Sequence, residues 1–201
     1  MKKRVRKLAV LASGYGSTLQ AVIKAISQKE LDMEINLVVS DNPNAFALIF
    51  AETASIKTHI LTSNTAKKRD EELLNVLKEV DVDMVLLAGY LKLIGPKVLD
   101  RYTVINTHPS LLPKYGGKGM HGMHVHAEVV KNHEEESGVT LHFVNEEYDK
   151  GQIIWQIHVP VYAEDCAKDV SDRVQAAEKT QLVSILKAFS EGKIEIPDKK
   201  F

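Results

Sequence analysis

The feature that most constrains this chain is a hydrophobic period that changes, and changes again, along its first half. Short apolar runs at residues 8–12, 35–40, 57–61 and 84–88 alternate with longer stretches whose apolar residues return at helical spacing. The stretch 17–28 puts Leu19, Val22, Ile23 and Ile26 on one face, and 44–54 repeats the pattern with Asn44 as its expected cap. A third, 66–80, does the same through Leu73, Leu74, Leu77 and Val80. The run at 84–88 is almost wholly apolar, as a parallel strand covered on both faces must be. This βαβαβαβ order predicts an α/β fold with a doubly wound, mostly parallel, Rossmann-like sheet. It also places ligands beyond the C-terminal ends of the strands.

The second half changes style. Residues 104–106 continue as a strand, after which Pro109, Pro113, Gly116, Gly117, Gly119 and Gly122 crowd a segment expected to be irregular. Residues 139–144 and 152–159 read as paired strands joined across 145–151, an antiparallel C-terminal extension of the sheet. An amphipathic helix at about 167–190 closes the pattern. With no repeat or linker, residues 1–201 are expected to form a single domain, its N-terminal half holding a phosphate or nucleotide and its C-terminal half the chemistry.

Composition narrows the partners. With 44% hydrophobic residues a core needs no metal or disulfide staple, and the single cysteine, Cys166, has no partner for an intramolecular bridge. The 26 basic against 27 acidic residues leave no excess with which to hold nucleic acid. The basic start, Met1 to Lys7, precedes an apolar run that stops at Ala12, too short for a secretion signal, and no window is long and apolar enough to span a bilayer. A cytoplasmic protein with small-molecule substrates and no membrane partner is expected.

Two segments carry candidate chemistry. Ser13-Gly14-Tyr15-Gly16-Ser17-Thr18 lies between the first strand and first helix, where glycines allow a sharp turn and free N–H groups at the helix start favour an anion such as phosphate. Two other readings stay open: a plain tight turn with Ser17 capping the helix, or a dinucleotide site using Asp41, although Leu19 stands where that fingerprint has its third glycine. Asn106-Thr107-His108-Pro109-Ser110-Leu111-Leu112-Pro113 follows a strand end. Residues two apart on an extended chain project to one side, so the Asn106 carboxamide and the His108 ring can address one atom. The plainer alternative is a strand-ending Asn beside a half-buried His.

Three motifs together resemble the phosphoribosylglycinamide formyltransferase (glycinamide ribonucleotide transformylase) family, the folate-dependent formyltransferases of purine biosynthesis. They are Ile105-Asn106-Thr107-His108-Pro109-Ser110-Leu111-Leu112-Pro113-Lys114-Tyr115, Gly138-Val139-Thr140-Leu141-His142-Phe143-Val144 and Tyr148-Asp149-Lys150-Gly151-Gln152-Ile153-Ile154. The resemblance implies transfer of the formyl group of 10-formyltetrahydrofolate to the amine of 5′-phosphoribosylglycinamide, with Asn106, His108 and Asp149 catalytic. Such a transfer passes through a tetrahedral oxyanion and needs a donor, a proton manager and a carboxylate that orients the manager and raises its pKa. On pattern alone Asp149, before Lys-Gly, is a turn residue.

The resemblance further assigns Gly14, Tyr15, Gly16, Ser17 and Thr18 to the substrate phosphate, and Gln175 and Glu178, one turn apart on the last helix, to the nucleotide. Without it that pair reads as solvated helix surface. Tyr90, Leu91, Lys92, Leu93 and Ile94 are implied for the folate, though Leu91, Leu93 and Ile94 read equally as core. Lys68 is a candidate for the phosphate or the folate tail.

Residues 116–126 form a longer glycine- and histidine-rich loop than many relatives have, expected to be mobile and to close over substrate with Lys118 or a histidine. His124 and His126 are a conceivable ligand pair, but no carboxylate or cysteine completes a metal site and none is expected. Neighbouring members of the formyl class, those that formylate a sugar-nucleotide amine or hydrolyse formyltetrahydrofolate, are the alternative activities. Either a monomer or a homodimer is compatible with the sequence.

Overall fold

The computed structural model describes residues 5–195; Met1 to Arg4 of the basic start, and the ends of the 1–201 span, lie outside. The chain runs β1 (Arg6–Leu11), α1 (Ser17–Ser27), β2 (Met33–Ser40), α2 (Phe46–Thr53), β3 (Thr58–Ile60), α3 (Ala66–Lys78), β4 (Met84–Leu87), α4 (Pro96–Arg101), β5 (Thr103–His108), α5 (Met123–Lys131), β6 (Glu136–Phe143), β7 (Ile153–Pro160) and α6 (Ala167–Ser190). The strands form one sheet in the order β3-β2-β1-β4-β5-β6-β7, parallel from β3 to β5 and antiparallel across β5–β6 and β6–β7.

Alternation along β1 shows how the sheet is covered. Leu8 and Val10 pack with Leu19, Val22, Leu48 and Phe189 on one face, while Ala9 and Leu11 pack with Leu73, Leu77 and Val98 on the other. A third cluster, Val129, Val139, Val159, Val170 and Val174, seats α5 and α6 against the antiparallel end. Strand order reverses at β1, whose neighbours are β2 and β4, so a crevice opens where these strands end.

Three local expectations are corrected. Helix α2 begins one residue late, with Ala45 as N-cap, because Asn42 Oδ1 accepts from the Asn44 N–H in a turn of its own. Ser17 is the first helical residue of α1 rather than its cap, a place taken by Gly16 at φ +81°. The glycine-rich segment does not stay irregular through 126: helix α5 starts at Met123, driven by burial of Val125 and Val129 one turn apart. Helix α4 has no counterpart in the sequence pattern. It has six residues, and its N-terminus is satisfied from elsewhere, Asp70 in α3 accepting from Lys97 N (3.0 Å) and Val98 N (3.3 Å).

Candidate active site

A cavity of about 680 Å³ occupies the crevice, bounded by the start of α1, the segment after β4, the end of β5, the 117–123 loop, the β6–β7 connection and α6. Its chemistry begins with sheet register. Asn106 on β5 lies opposite His142 on β6, and His108 opposite Thr140, so both histidines and the carboxamide project to one face. Asn106 Nδ2 and His142 Nε2 are 3.0 Å apart. Asp149 comes from the β6–β7 connection with φ +56° and turns its carboxylate back over this face. Oδ2 stands 3.5 Å from His108 Nδ1 and Oδ1 stands 3.5 Å from His142 Nε2. The Gly117 N–H donates to Oδ2 at 2.8 Å, tying the glycine-rich loop to the same carboxylate.

The surrounding carbonyls fix the protons. His108 Nε2 is 2.8 Å from the Tyr115 carbonyl, which can only accept, so Nε2 carries the hydrogen and Nδ1 of the neutral ring is the basic atom. His142 Nδ1 likewise donates to the Phe143 carbonyl at 2.9 Å, leaving Nε2 to accept from Asn106. That orients the carboxamide and leaves its second N–H for the cavity it lines.

Burial pushes the His108 pKa below its ordinary value; the nearby Asp149 and the Tyr115 carbonyl work upward, and His142 adds to the lowering. Asp149 does pull the ring's pKa upward, as expected, but its pull is smaller than desolvation, and the neutral ring is favoured. For Asp149 burial acts upward, yet His142, His108 and the Gly117 N–H outweigh it and hold the carboxyl below the usual range.

At the head of α1, Ser17 and Thr18 line the cavity, while Gly14, Tyr15 and Gly16 form the turn that precedes them and are not among its lining residues. A Cβ on Gly16 would lie 2.8 Å from Ala47, so the turn packs directly on α2. Tyr15 is exposed and packs its ring against Phe46 and Phe50. Glu178 is half-buried in the cavity wall, where Oε1 accepts from Thr18 Oγ1 (3.0 Å) and Thr107 Oγ1 (2.8 Å); desolvation raises its pKa against those two bonds. Gln175 also lines the cavity and donates to Ser171 Oγ at 3.1 Å. The solvated-surface reading of this pair is thereby corrected.

The opposite wall is a slot of Leu87, Tyr90, Leu91, Leu93, Ile94 and Val144, with Glu147 and Tyr148 across it. Tyr90 and Ile94 are buried, whereas Leu91 and Leu93 are exposed, so the core reading holds for only part of the segment. Lys92 lines the cavity with Nζ 3.8 Å from Asp41, and Asp41 in turn accepts from Ser13 Oγ at 2.6 Å. The carboxylate considered for a dinucleotide ribose is thus engaged with the turn. Lys68 is exposed on α3 and does not line the cavity; its backbone N–H is capped by Thr65 and its charge acts on Glu71 of the same helix.

Two site residues carried no assignment from the sequence. His142 sat within a signature strand, where alternation with Thr140 would have placed it on the chemical face. His126 was considered as a metal ligand beside His124, but helix α5 separates them: His126 is buried and lines the cavity, while His124 is exposed. Among the described residues no group of three such side chains is placed to hold a metal ion.

Fold and site together define a class: α/β enzymes that pass a small acyl carbon between nucleophiles in a crevice at the strand ends. Residues 6–186 match the formyl transferase family model, and the chain belongs to that family. It is 35% identical over 194 residues to phosphoribosylglycinamide formyltransferase of Escherichia coli strain K12, covering 94% of this chain and 89% of that protein. The structure of phosphoribosylglycinamide formyltransferase from Coxiella burnetii superposes with a TM-score of 0.88 at 31% identity, covering 98% of this chain and 92% of that one. The enzyme from Anaplasma phagocytophilum gives 0.84 at 35% identity, with 97% and 92% covered. No helix among the described residues is long and apolar enough to cross a membrane.

Proposed function

We propose that this chain transfers the formyl group of 10-formyltetrahydrofolate to the amine of 5′-phosphoribosylglycinamide, giving formylglycinamide ribonucleotide and tetrahydrofolate in purine biosynthesis. The observation that carries the reading is the Asp149 carboxylate standing between two imidazoles beside Asn106, in a cavity also lined by an anion-suited helix start and an apolar slot. The Gly14 to Thr18 turn receives the 5′-phosphate at the head of α1, and Gln175 and Glu178 receive the ribose side of the nucleotide. The Leu87–Val144 slot suits a flat pterin, with backbone groups of 89–94 at its rim.

His108 Nδ1 takes the proton that the attacking amine loses as the new C–N bond forms, and the imidazolium so made faces Asp149. The second N–H of Asn106 donates to the oxygen that becomes an oxyanion. As the tetrahedral carbon collapses, His108 returns the proton to the departing folate nitrogen, so the ring ends as it began. His142 holds Asn106 in orientation, and the scheme calls on no metal ion. Lys118, exposed and lining the cavity, offers a cation to an acidic substrate group. A single domain working in the cytoplasm as a monomer or homodimer completes the proposal. The test is an absorbance assay of folate deformylation: turnover should start when the ribonucleotide is added, and turnover with water as sole acceptor would replace this reading by hydrolysis.

A further inference from the structure

We propose that Glu134, which lies outside the cavity between α5 and β6, is a positioning residue for His108 and acts through Tyr115. The inference rests on the catalytic role given to His108 above.

The chain of contacts is short. Tyr115 adopts φ +55°, a left-handed conformation that a side-chain-bearing residue takes only when its surroundings impose it. In that conformation its carbonyl meets His108 Nε2 at 2.8 Å. Its phenol donates to Glu134 Oε1 at 2.9 Å, and the preceding Lys114 reaches the same carboxylate with Nζ at 3.0 and 2.9 Å. Burial, helped by Glu134, pushes the phenol up to about 12, so it remains a donor at any working pH.

The backbone on either side is pinned separately. Ser110 Oγ donates to the Lys114 carbonyl at 2.6 Å, Thr140 Oγ1 donates to the Ser110 carbonyl at 2.6 Å, and Gly117 N donates to Asp149. The Tyr115 side chain packs against the Val129–Val139 cluster, and its polar end is held by Glu134.

The contact with Lys114 is an exposed ion pair and contributes little by itself. The phenol bond matters because of what lies at the other end of the residue. If residue 115 relaxes to negative φ, its carbonyl swings from Nε2, the neutral His108 ring loses its reason to carry hydrogen there, and the basic nitrogen no longer has to be the one beside Asp149. Glu134 thereby selects which nitrogen of His108 is the base, from a small second hollow of about 240 Å³ that it shares with Ser110, Lys114, Tyr115 and Val129.

The experiment compares Glu134→Ala, Tyr115→Phe, the double variant and Glu134→Gln, each in the full chain with thermal midpoints recorded. Glu134→Ala and Tyr115→Phe should each lower kcat by roughly 5- to 30-fold with KM changed less than about 2-fold, and the double variant should fall no further than the worse single one. Glu134→Gln keeps an acceptor for the phenol and should stay within about 3-fold of the parent. Imidazole ¹⁵N spectra, which need no turnover, should show hydrogen on His108 Nε2 in the parent and a tautomer mixture in Glu134→Ala. Unchanged kcat and tautomer in both single variants, additive losses, or a loss confined to KM would overturn the proposal. Should Glu134→Ala fail to fold, Tyr115→Phe, which removes one hydroxyl, decides. Normal turnover by His108→Ala would defeat the catalytic reading instead, and the spectra would still say whether Glu134 orders the ring.

Discussion

Asn106 and His142 face each other across the β5–β6 ladder with their side-chain nitrogens 3.0 Å apart. The imidazole therefore sets which end of the carboxamide faces the cavity. His142→Ala should lower kcat by about 10- to 100-fold while leaving nucleotide affinity near normal, and combining it with Asn106→Ala should cost little more than Asn106→Ala alone. Steady-state kinetics of the two variants and their combination measure this; fully multiplicative losses would separate the two residues.

His108→Ala removes both the proposed base and the partner of Asp149. Turnover should fall by about 10²- to 10⁴-fold, in the range for loss of a positioned acid–base group, with nucleotide binding by calorimetry only modestly changed. Near-normal turnover would remove the ring from the mechanism.

Acid sensitivity should follow from His126. Burial first, and His108 second, lower its pKa to about 4 from an ordinary 6.5. The unfolded chain then takes up a proton near pH 6.5 that the folded chain refuses until about pH 4, so this contribution to stability is complete above the unfolded value and is lost as pH falls. Across that window the effect is on the order of 3 kcal/mol, and the lowered His108 adds to it in the same direction. Urea unfolding at pH 7.5 and 4.5 should show the decline in the parent and a smaller one in His126→Gln; equal declines would mean the ring is not buried neutral.

Gly16→Ala should destabilise by about 1–3 kcal/mol and weaken ribonucleotide binding, since φ is +81° and the new Cβ would meet Ala47 at 2.8 Å. Gly14→Ala, with nothing within 4 Å of its Cβ, should be nearly neutral in stability. Thermal melts and calorimetric titration distinguish the two.

Where the period was long and clear, sequence sufficed. The apolar runs that became β1, β2 and β4, and the helical faces of α1 and α3, were read close to their bounds because the burial that drives them is local in pattern. Helix α4 was illegible because Asp70, far along the chain, caps it. Helix α5 was masked by glycines just ahead of a Val125–Val129 pair. In the site, the shared face of Asn106 and His108 followed from strand geometry. The meeting of Asp149 with both rings depends on the path of the β6–β7 connection, which no spacing encodes, and its presence in the reading came from family resemblance. The net lowering of the His108 pKa depends on how deeply the ring is enclosed, a quantity set by packing from several elements.

Asp149 is anchored by the Gly117 N–H and stands equally far from two rings, so its negative charge is in place before any proton moves. In the proposed mechanism solvent would have to reorient around each newborn imidazolium; here that reorientation was completed once, when the chain folded. Successive catalytic cycles inherit it, and the barrier they cross is lower by whatever water would have charged for turning.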